Sequence, residues 1–272
     1  MQKKFSPAMD NIFTSRTGDS PVLISIPHDG TRLPAELEGR LTASARELPD
    51  TDWLVSELYN FIDNEDFSLI KANYSRYVVD LNRSGHGEQL YPGRFETSVC
   101  PTLAFSGQEL YRPGQEPDDA EIAERITTYW QPYHDQIRSE IQRIQALHGY
   151  AILWDAHSIY GEIPGLFDGV LPDLNFGTAN NTSLGLELRE QIMNLAAKQR
   201  EYSWVMDGRF KGGYITRCYG NPGKDIHAVQ LEINQSAYLD STRPPAVDTG
   251  KTTKLSQQIL IFINMLQARH PA

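Results

Sequence analysis

The chain has little cysteine, no long apolar run and a deficit of positive charge. Only two of its 272 residues are cysteines, Cys100 and Cys218, and two isolated cysteines cannot form a cysteine-based zinc site. No segment approaches the roughly 18 consecutive apolar residues that a membrane-spanning helix needs. The first residues include lysines but no apolar segment after them, unlike a secretory signal. We therefore expect a cytoplasmic protein with reduced thiols.

The excess of acidic residues limits the partners of the protein. The formal net charge is −10, whereas nonspecific nucleic-acid binding depends on many Lys and Arg contacts to phosphate. Anionic membrane surfaces also attract basic segments, so we expect neither a nucleic-acid partner nor a membrane partner. A small anionic substrate remains compatible with this charge, because a pocket can be locally positive on a negative protein. The oligomeric state does not follow from these features.

Several common binding and catalytic motifs are also missing. No GxGxxG or P-loop motif follows an apolar run, which argues against dinucleotide and P-loop sites. The GxSxG motif of serine hydrolases and the HExxH motif of zinc proteases are absent as well. Any catalytic site must therefore be assembled from residues that are distant in the chain.

Apolar runs and helical patterns alternate along the chain. Five short runs are typical of strands buried on both faces, namely 22–26, 68–72, 77–81, 151–156 and 228–233. Amphipathic helical patterns cover 52–60, 118–147, 182–200 and 252–268, and Pro132 predicts a kink or two helices in the second of these. This alternation predicts an α/β fold, a single domain over residues 1–272 with three α/β/α layers and a mainly parallel, mixed central sheet.

Polar residues stand at the ends of four predicted strands. His28 follows the first run, Asn82 follows the run at 77–81, His157 follows the run at 151–156, and Glu232 lies near the end of the last run. In open α/β sheets, ligands bind outside the carboxyl ends of the strands. The sequence therefore predicts an active site at this edge of the sheet.

His28 and His157 are the candidate metal ligands. Either one alone is equally well explained as a loop histidine bonded to backbone, but two of them with acidic neighbours favour a metal site. A catalytic zinc usually takes three protein ligands and leaves one position for water, so a carboxylate is the expected third ligand. The acidic candidates are Asp29, Asp50, Asp52 and Asp155.

Two of these acids also have another interpretation. Asp52 precedes a helical pattern, where it would serve as an N-cap. Asp155 lies two residues before His157 on the same strand face, and is well placed to hydrogen-bond that histidine. The histidines that we expect to be solvated or to cap helices are His134, His148 and His270.

Glu232 is the most unusual acid because it lies inside an apolar run. It shares a strand face with Ala228 and Gln230, and that face is buried if helices cover both sides of the sheet. Burying an unpaired carboxylate is costly, so Glu232 needs a partner or a function. At a zinc site it would be the general base and then the general acid. A salt bridge or a solvent-facing position is the alternative.

Basic residues gather in two places. Arg83 ends the run at 77–81, directly after Asn82. The second group lies in GRFKGGYITR and contains Arg209, Lys211 and Arg217. Arginine forks bind carboxylates bidentately, and a pair of glycines lets the backbone approach a ligand closely. These side chains would form a positive pocket for a dicarboxylate, and scattered surface charge is the alternative.

Long stretches of the chain match one known family. They are SIPHDGTRLP at 25–34, LPDTDWLVSELY at 48–59, YSRYVVDLNRSG at 74–85, LYPGRFETSVCPTLAF at 90–105, residues 154–181 and residues 208–240. Over nearly its whole length the chain therefore resembles the N-formylglutamate amidohydrolases (N-formylglutamate deformylases) of histidine degradation. The resemblance implies hydrolysis of N-formyl-L-glutamate, a small anionic amino-acid substrate, to formate and L-glutamate.

A more distant similarity links this family to zinc carboxypeptidases and aspartoacylase-type deacylases. It implies a zinc-exopeptidase-like fold, a zinc held by two histidines and a carboxylate, and a downstream glutamate as base. The DLNR segment of those relatives binds substrate, and here it is Asp80–Arg83. They also place a glutamate three residues after the first histidine, where this chain has Thr31. We expect Asp52 to replace that glutamate.

The resemblance thus implies a complete site. Zn²⁺, or another divalent metal, would be held by His28, Asp52 and His157, with Asp155 behind the second histidine. Glu232 would be the base and then the acid, and Arg83 would stabilise the oxyanion. The substrate-binding residues would be Asn82, Arg83, Arg209, Lys211 and Arg217. The alternatives are a related zinc deacylase acting on another N-acyl acidic amino acid, and a non-catalytic binding protein with the same pocket.

Overall fold

A mixed sheet forms the centre of the protein. The computed structural model describes residues 12–90, 93, 96–240 and 245–268. The strands in these residues are β1 (Phe13–Arg16), β2 (Val22–Ile26), β3 (Ser68–Ala72), β4 (Ala151–Ile159), β5 (Leu174–Gly177), β6 (Trp204–Met206) and β7 (Ile226–Asn234). Their order is β1-β3-β2-β4-β7-β5-β6. The four central strands are parallel, whereas β1 and β5 run antiparallel to β3 and β7, which confirms the predicted sheet.

Helices of several kinds connect these strands. The α-helices are α1 (Ala35–Glu38), α2 (Ala43–Arg46), α3 (Asp119–Arg125), α4 (Gln131–His148), α5 (Leu186–Lys198), α6 (Tyr214–Tyr219) and α7 (Thr249–Gln267). The helix predicted at 52–60 is a 3-10 helix at Val55–Asn64, and shorter 3-10 turns occupy Pro222–Lys224 and Gln235–Ala237. A π-helical turn, Ile126–Trp130, joins α3 to α4. Pro132 lies in the first turn of α4, where a missing N–H is tolerated.

The sheet is covered on both faces. Leu153 and Ala228 pack toward α4 and α6 in one core, while their neighbours Trp154 and Val229 pack toward the 3-10 helix, α5 and α7 in the other. Alternate residues of each central strand therefore enter different cores, which accounts for the continuous apolar runs in the sequence. This arrangement confirms the three-layer α/β/α architecture. No helix among the described residues has the length and apolar character needed to cross a bilayer.

The prediction of a strand at 77–81 is wrong, because this run forms a buried loop. Its apolar residues are almost inaccessible to solvent, with Val78 at 0% and Leu81 at 5% exposure. The backbone finds partners outside any strand ladder: Asp80 N–H donates to Val99 O at 2.7 Å, and Arg125 Nη1 donates to Val78 O at 3.3 Å. Burial and apolar composition resemble those of a strand, and side chains distant in sequence replace the missing strand hydrogen bonds.

The loop at 77–83 is held by one helical segment, which comprises α3, the π-helical turn and α4 (residues 119–148). Besides Arg125, this segment contributes Trp130 Nε1, which donates to Arg83 O at 2.9 Å, and His134 Nε2, which lies 2.9 Å from Leu81 O. His134 also lies 2.9 Å from the Tyr219 hydroxyl and is fully buried. The expectation of a solvated or capping His134 is therefore wrong, and His270 lies outside the described residues.

Replacing Arg125 with methionine tests how this loop is held. We expect Arg125→Met to lower the free energy of unfolding by about 3 kcal/mol, because it breaks a buried ion pair with Glu121 and removes the donor to Val78 O. Urea unfolding followed by circular dichroism measures this value. The control is Arg138→Met in α4, whose ion pair with Asp135 is half exposed and whose loss should change stability by less than about 0.5 kcal/mol. Similar small losses in both variants would contradict the role of Arg125.

Candidate active site

The ends of three parallel strands bring the candidate site together. His28 follows β2, and its carbonyl accepts the Asp52 N–H at 3.1 Å, which holds the chain before the 3-10 helix against the strand end. His157 lies in β4 and is paired in register with Glu232 in β7. The imidazole centroids of His28 and His157 are 5.0 Å apart. Residues from four distant parts of the sequence therefore meet at one edge of the sheet.

His28, Asp52 and His157 form a cluster that could hold a metal ion. One potential ligand atom from each lies within 4.8 Å of the others, and all three residues are buried. Asp52 Oδ2 is 3.0 Å from His157 Nδ1 and 3.8 Å from His28 Nδ1. The same oxygen accepts the Ser158 N–H at 3.1 Å. Leu54, not Asp52, caps the 3-10 helix, so the carboxylate of Asp52 is directed to the histidines.

The other candidate acids lie around this cluster with different partners. Asp29 Oδ2 is 3.8 Å from Lys71 Nζ, and Asp50 Oδ2 accepts the Phe105 N–H at 2.9 Å. Asp155 Oδ1 is 3.2 Å from His157 Nε2, the ring nitrogen that faces away from Asp52. The structure thus brings Asp52 to both histidines and sets Asp155 behind one of them.

Asp80 contacts His28 in the same way that Asp155 contacts His157. Its Oδ1 lies 2.9 Å from His28 Nε2, while its buried Oδ2 has no hydrogen-bond partner among the described residues. A carboxylate at Nε2 fixes that nitrogen as the one that carries the proton, and leaves Nδ1 as a lone-pair donor. Because Asp80 and Asp155 face the two Nε2 atoms, both Nδ1 atoms point to Asp52. This arrangement fits a divalent ion with two nitrogen ligands and one oxygen ligand.

The charge states of these groups follow from burial and from one another. Burial and the nearby Arg76 lower the pKa of His28 to about 4, so this histidine is neutral. Burial opposes ionisation of Asp52, but its hydrogen bond with His157 and the charge of Arg76 outweigh that effect and lower its pKa. Burial also opposes protonation of His157, but Asp155 and Asp52 hold its pKa well above the usual value. Neutral His28 and ionised Asp52 are in the forms that bind metals, whereas His157 would have to release a proton to become a ligand.

Arg76 is a site residue that the sequence analysis did not predict. Its Nη2 contacts His28 Nδ1 and lies 3.8 Å from Asp52 Oδ1, so a positive group already stands beside the potential metal ligands. Its guanidinium stacks on the Phe105 ring at 4.8 Å. The available signal was an arginine four residues before Asp80. The role of Arg76 in the site cannot be predicted when residues 77–81 are assigned to a strand, because only a loop there brings Arg76 to His28 and Asp52.

Glu232 lines the same cavity and is 7% exposed. Burial raises its pKa to about 8, and the charges of Asp52 and Asp155 act in the same direction, against those of His157 and Arg76. A carboxyl group with a pKa near neutrality can exchange protons at physiological pH. Glu232 is therefore chemically suited to general acid–base work in this cavity.

The structure separates the predicted basic residues into two groups. Arg83, Arg209 and Arg76 line the cavity. Arg83 Nε donates to Thr97 O at 2.9 Å, and Arg209 Nε donates to Leu166 O at 3.2 Å. Among the described residues, the cavity lining does not include Lys211 or Arg217, and Arg217 Nε donates to Gly212 O at 2.8 Å. Three guanidinium groups therefore surround the cavity and make it suitable for an anion.

Asn82 has its amide committed to protein partners. Its Oδ1 accepts the Ile215 N–H at 2.8 Å, and its Nδ2 lies 3.0 Å from His157 Nε2. The Tyr214 N–H donates to its carbonyl at 3.3 Å. Asn82 therefore joins the loop at 77–83 to the start of α6 and to His157.

An apolar wall faces these polar groups. Phe105, Ile159, Leu166 and Phe210 line the cavity and belong to, or pack against, a third small hydrophobic cluster. The cavity has a volume of about 70 Å³, and charged groups and aromatic rings both contribute to its lining. An apolar wall lowers the local dielectric constant and strengthens the interactions of the buried charges.

Comparisons with known proteins agree on one family. A family model described as N-formylglutamate amidohydrolase matches residues 20–239. The N-formylglutamate deformylase of Pseudomonas putida is 45% identical over 236 residues, which cover 87% of this chain and 88% of the relative. The N-formylglutamate deformylase of Pseudomonas aeruginosa is 44% identical over 248 residues, which cover 90% of this chain and 93% of the relative.

Solved structures share the fold at much lower identity. The crystal structure of N-formylglutamate amidohydrolase from Ralstonia eutropha superimposes with a TM-score of 0.77 at 19% identity, covering 94% of this chain and 97% of its own. A protein from Agrobacterium tumefaciens gives a TM-score of 0.71 at 18% identity, covering 97% and 99%. These matches confirm the α/β fold.

Removal of His157 tests whether the cluster of His28, Asp52 and His157 binds a metal ion. We expect the wild-type protein to retain about one zinc ion per chain on dialysis and His157→Ala to retain almost none, because the variant keeps only two of the three candidate ligands. Elemental analysis of the purified protein measures the content. His148→Ala is the control, since His148 lies just before β4, at the opposite end of the strand from His157. A fully zinc-loaded His157→Ala protein would contradict the ligand set.

Proposed function

The chain belongs to the N-formylglutamate amidohydrolase family, and from this premise we propose that it hydrolyses N-formyl-L-glutamate to formate and L-glutamate. The observation that carries the proposal is the buried cluster of His28, Asp52 and His157, with Glu232 lining the same cavity. Relatives that are 44% and 45% identical over most of the chain and are named N-formylglutamate deformylase support the choice of substrate.

We propose that His28, His157 and Asp52 would hold a divalent ion, with Zn²⁺ as the preferred metal. The nitrogen and oxygen donors and their burial support zinc, which commonly takes two histidines and a carboxylate at catalytic sites. When bound, the ion would supply Lewis-acid polarisation of the formyl carbonyl and would make a water molecule more acidic. Asp80 and Asp155 orient the two histidines through Nε2.

Glu232 is the proposed general base and general acid. It takes a proton from the attacking water and returns it to the amine nitrogen as the carbon–nitrogen bond breaks. The raised pKa makes the carboxylate a stronger base for the first step, and because it lies near neutrality the group can still release the proton to the leaving amine. Hydrolysis consumes one water molecule and yields formate and glutamate, so the reaction needs no further reactant.

Arg76 is our choice for the cation that stabilises the negative charge developing on the formyl oxygen. It contacts His28 and lies near Asp52, whereas Arg83 is bonded through Nη1 to Asn82 O and through Nε to Thr97 O. A cation beside the reacting carbonyl is worth several kcal/mol in a site that excludes water, on the order of 3 kcal/mol for a single donor.

The remaining cations are assigned to the substrate carboxylates. Arg83 and Arg209 line the cavity and carry planar guanidinium groups that suit bidentate carboxylate binding. Asn82 joins the loop that carries Arg83 to the start of α6, and Lys211 and Arg217 remain proposed substrate-binding residues. Binding energy from these distant carboxylates would position the small formyl group for attack.

We further propose that residues 1–272 form a single domain and that the reaction serves histidine degradation in the cytoplasm. The family match over residues 20–239 supports the single domain. The sequence resemblance supports the pathway. Neither proposal bears on the chemistry of the site.

Replacing Glu232 with glutamine tests the proposed base. We expect Glu232→Gln to keep zinc and to bind N-formylglutamate, but to lose turnover by about 10²–10⁴-fold, because the amide cannot accept the proton. Stopped assays of formate release give kcat, and calorimetry gives substrate binding. Glu162→Gln, an exposed carboxyl on the loop after β4, is the control and should keep its activity. Near-normal turnover in Glu232→Gln would remove this residue from its role.

Acyl-group preference separates this proposal from a related deacylase. We expect kcat/KM to fall in the order N-formyl-, N-acetyl- and N-succinyl-L-glutamate, because each larger acyl group must fit the cavity of about 70 Å³. Parallel assays with and without a chelator measure the order and the metal dependence. Faster turnover of the acetyl or succinyl compound would overturn the formyl assignment. Binding of N-formylglutamate without metal-dependent turnover would instead identify a binding protein.

A further inference from the structure

Gln230 is a cavity-lining residue to which the reaction proposed above gives no role. It lies two residues before Glu232 on the same face of β7, and both side chains are buried at 3% and 7% exposure. Its Nε2 donates to Glu232 Oε2 at 3.2 Å, and its Oε1 accepts the Gly213 N–H at 2.7 Å. We propose that Gln230 is a positioning residue that orients Glu232 toward the cavity and connects it to residues 207–213.

The chemistry of the partners determines which way the amide of Gln230 faces. A backbone N–H can only donate, so the group opposite Gly213 must be the amide oxygen. The amide nitrogen is then directed to Glu232, whose carboxylate can only accept when ionised. The reverse orientation would oppose two donors on one side and two acceptors on the other. Gln230 is therefore a fixed donor to the proposed base.

The Gly213 N–H that orients this amide is itself held firmly. A Cβ on Gly213 would lie 2.2 Å from Asn82 Nδ2, so the backbone at this position rests directly on the Asn82 amide. The Ile215 N–H donates to the same amide at 2.8 Å. The residue before it, Gly212, has φ +104 and closely approaches Gly177, where a Cβ would lie 2.4 Å from Gly212 N. Gln230 thus binds to backbone that is closely packed against Asn82 and next to Gly177.

The consequence for Glu232 is a defined orientation of its carboxylate. Gln230 donates to Oε2, so Oε1 is the oxygen that we expect to face a water molecule in the cavity that Glu232 lines. The segment 207–213 also carries Arg209, a proposed ligand for the substrate carboxylate. Gln230 therefore connects the base to the segment that binds substrate. This inference rests on the proposed hydrolysis and on Glu232 as its base.

Two substitutions separate the two hydrogen bonds of Gln230. Gln230→Met keeps the volume but removes both bonds, whereas Gln230→Glu keeps an acceptor for Gly213 and removes the donor to Glu232. We expect kcat for N-formylglutamate to fall by about 10- to 100-fold in both variants, because a hydrogen bond to a charged group is lost. We expect KM to stay within about 2-fold and zinc content to be unchanged, since the side-chain hydrogen bonds of Gln230 go to Glu232 and Gly213 rather than to the proposed metal ligands or carboxylate-binding arginines.

A double-mutant cycle with Glu232→Gln makes the test specific. If Gln230 acts through Glu232, Gln230→Met should change the small residual rate of Glu232→Gln by less than about 2-fold. A full additional loss in the double mutant, or a kcat within 2-fold of wild type in both zinc-loaded single variants, would overturn the proposal. A raised KM with normal kcat would also overturn it and identify a substrate-binding residue. An inactive wild type would instead refute the proposed reaction.

Discussion

The site depends on the mutual compensation of charges buried at one end of the sheet. Four carboxyl groups, those of Asp52, Asp80, Asp155 and Glu232, are nearly inaccessible to solvent, and each would be costly if left unpaired. Arg76 and the protonated His157 balance part of this charge. Among these charges, the cluster of His28, Asp52 and His157 has the donor atoms and the spacing to hold a metal ion. The pKa values of these groups and the arrangement of the potential metal ligands therefore depend on the same set of buried charges.

The buried loop at 77–83 connects this site to the protein core. It presents Asp80 to His28 and Asn82 to His157, yet its own carbonyls are bonded by side chains of the segment 119–148. A loop without strand hydrogen bonds can turn its polar side chains toward a site while keeping its apolar side chains in the core. The helical segment therefore contributes to the active site without lining the cavity, because it determines where the loop lies.

Much of the fold could be predicted because the spacing of apolar residues in the sequence indicates which segments are buried. The strands at 22–26 and 68–72 match their predicted bounds, and β4 and β7 extend the predicted runs by a few residues. The strands β1, β5 and β6 were not predicted, since each has only three or four residues and little apolar periodicity. The run at 77–81 was wrongly assigned because apolar composition reports burial, not hydrogen-bond pattern, and here the two differ.

Sequence alone identified the family, the α/β architecture and the two histidines at strand ends, because motifs and strand-end positions are properties of the chain itself. The tertiary structure decided which of several acids faces both histidines, that Arg76 stands beside them, and that Gln230 is bonded to Glu232. It also decided that Arg83 and Arg209 line the cavity. These relations depend on distances of a few ångströms, some of them between residues as far apart in the chain as Asp52 and His157, which are separated by 105 positions. Such distances are determined only when the strands pair in register.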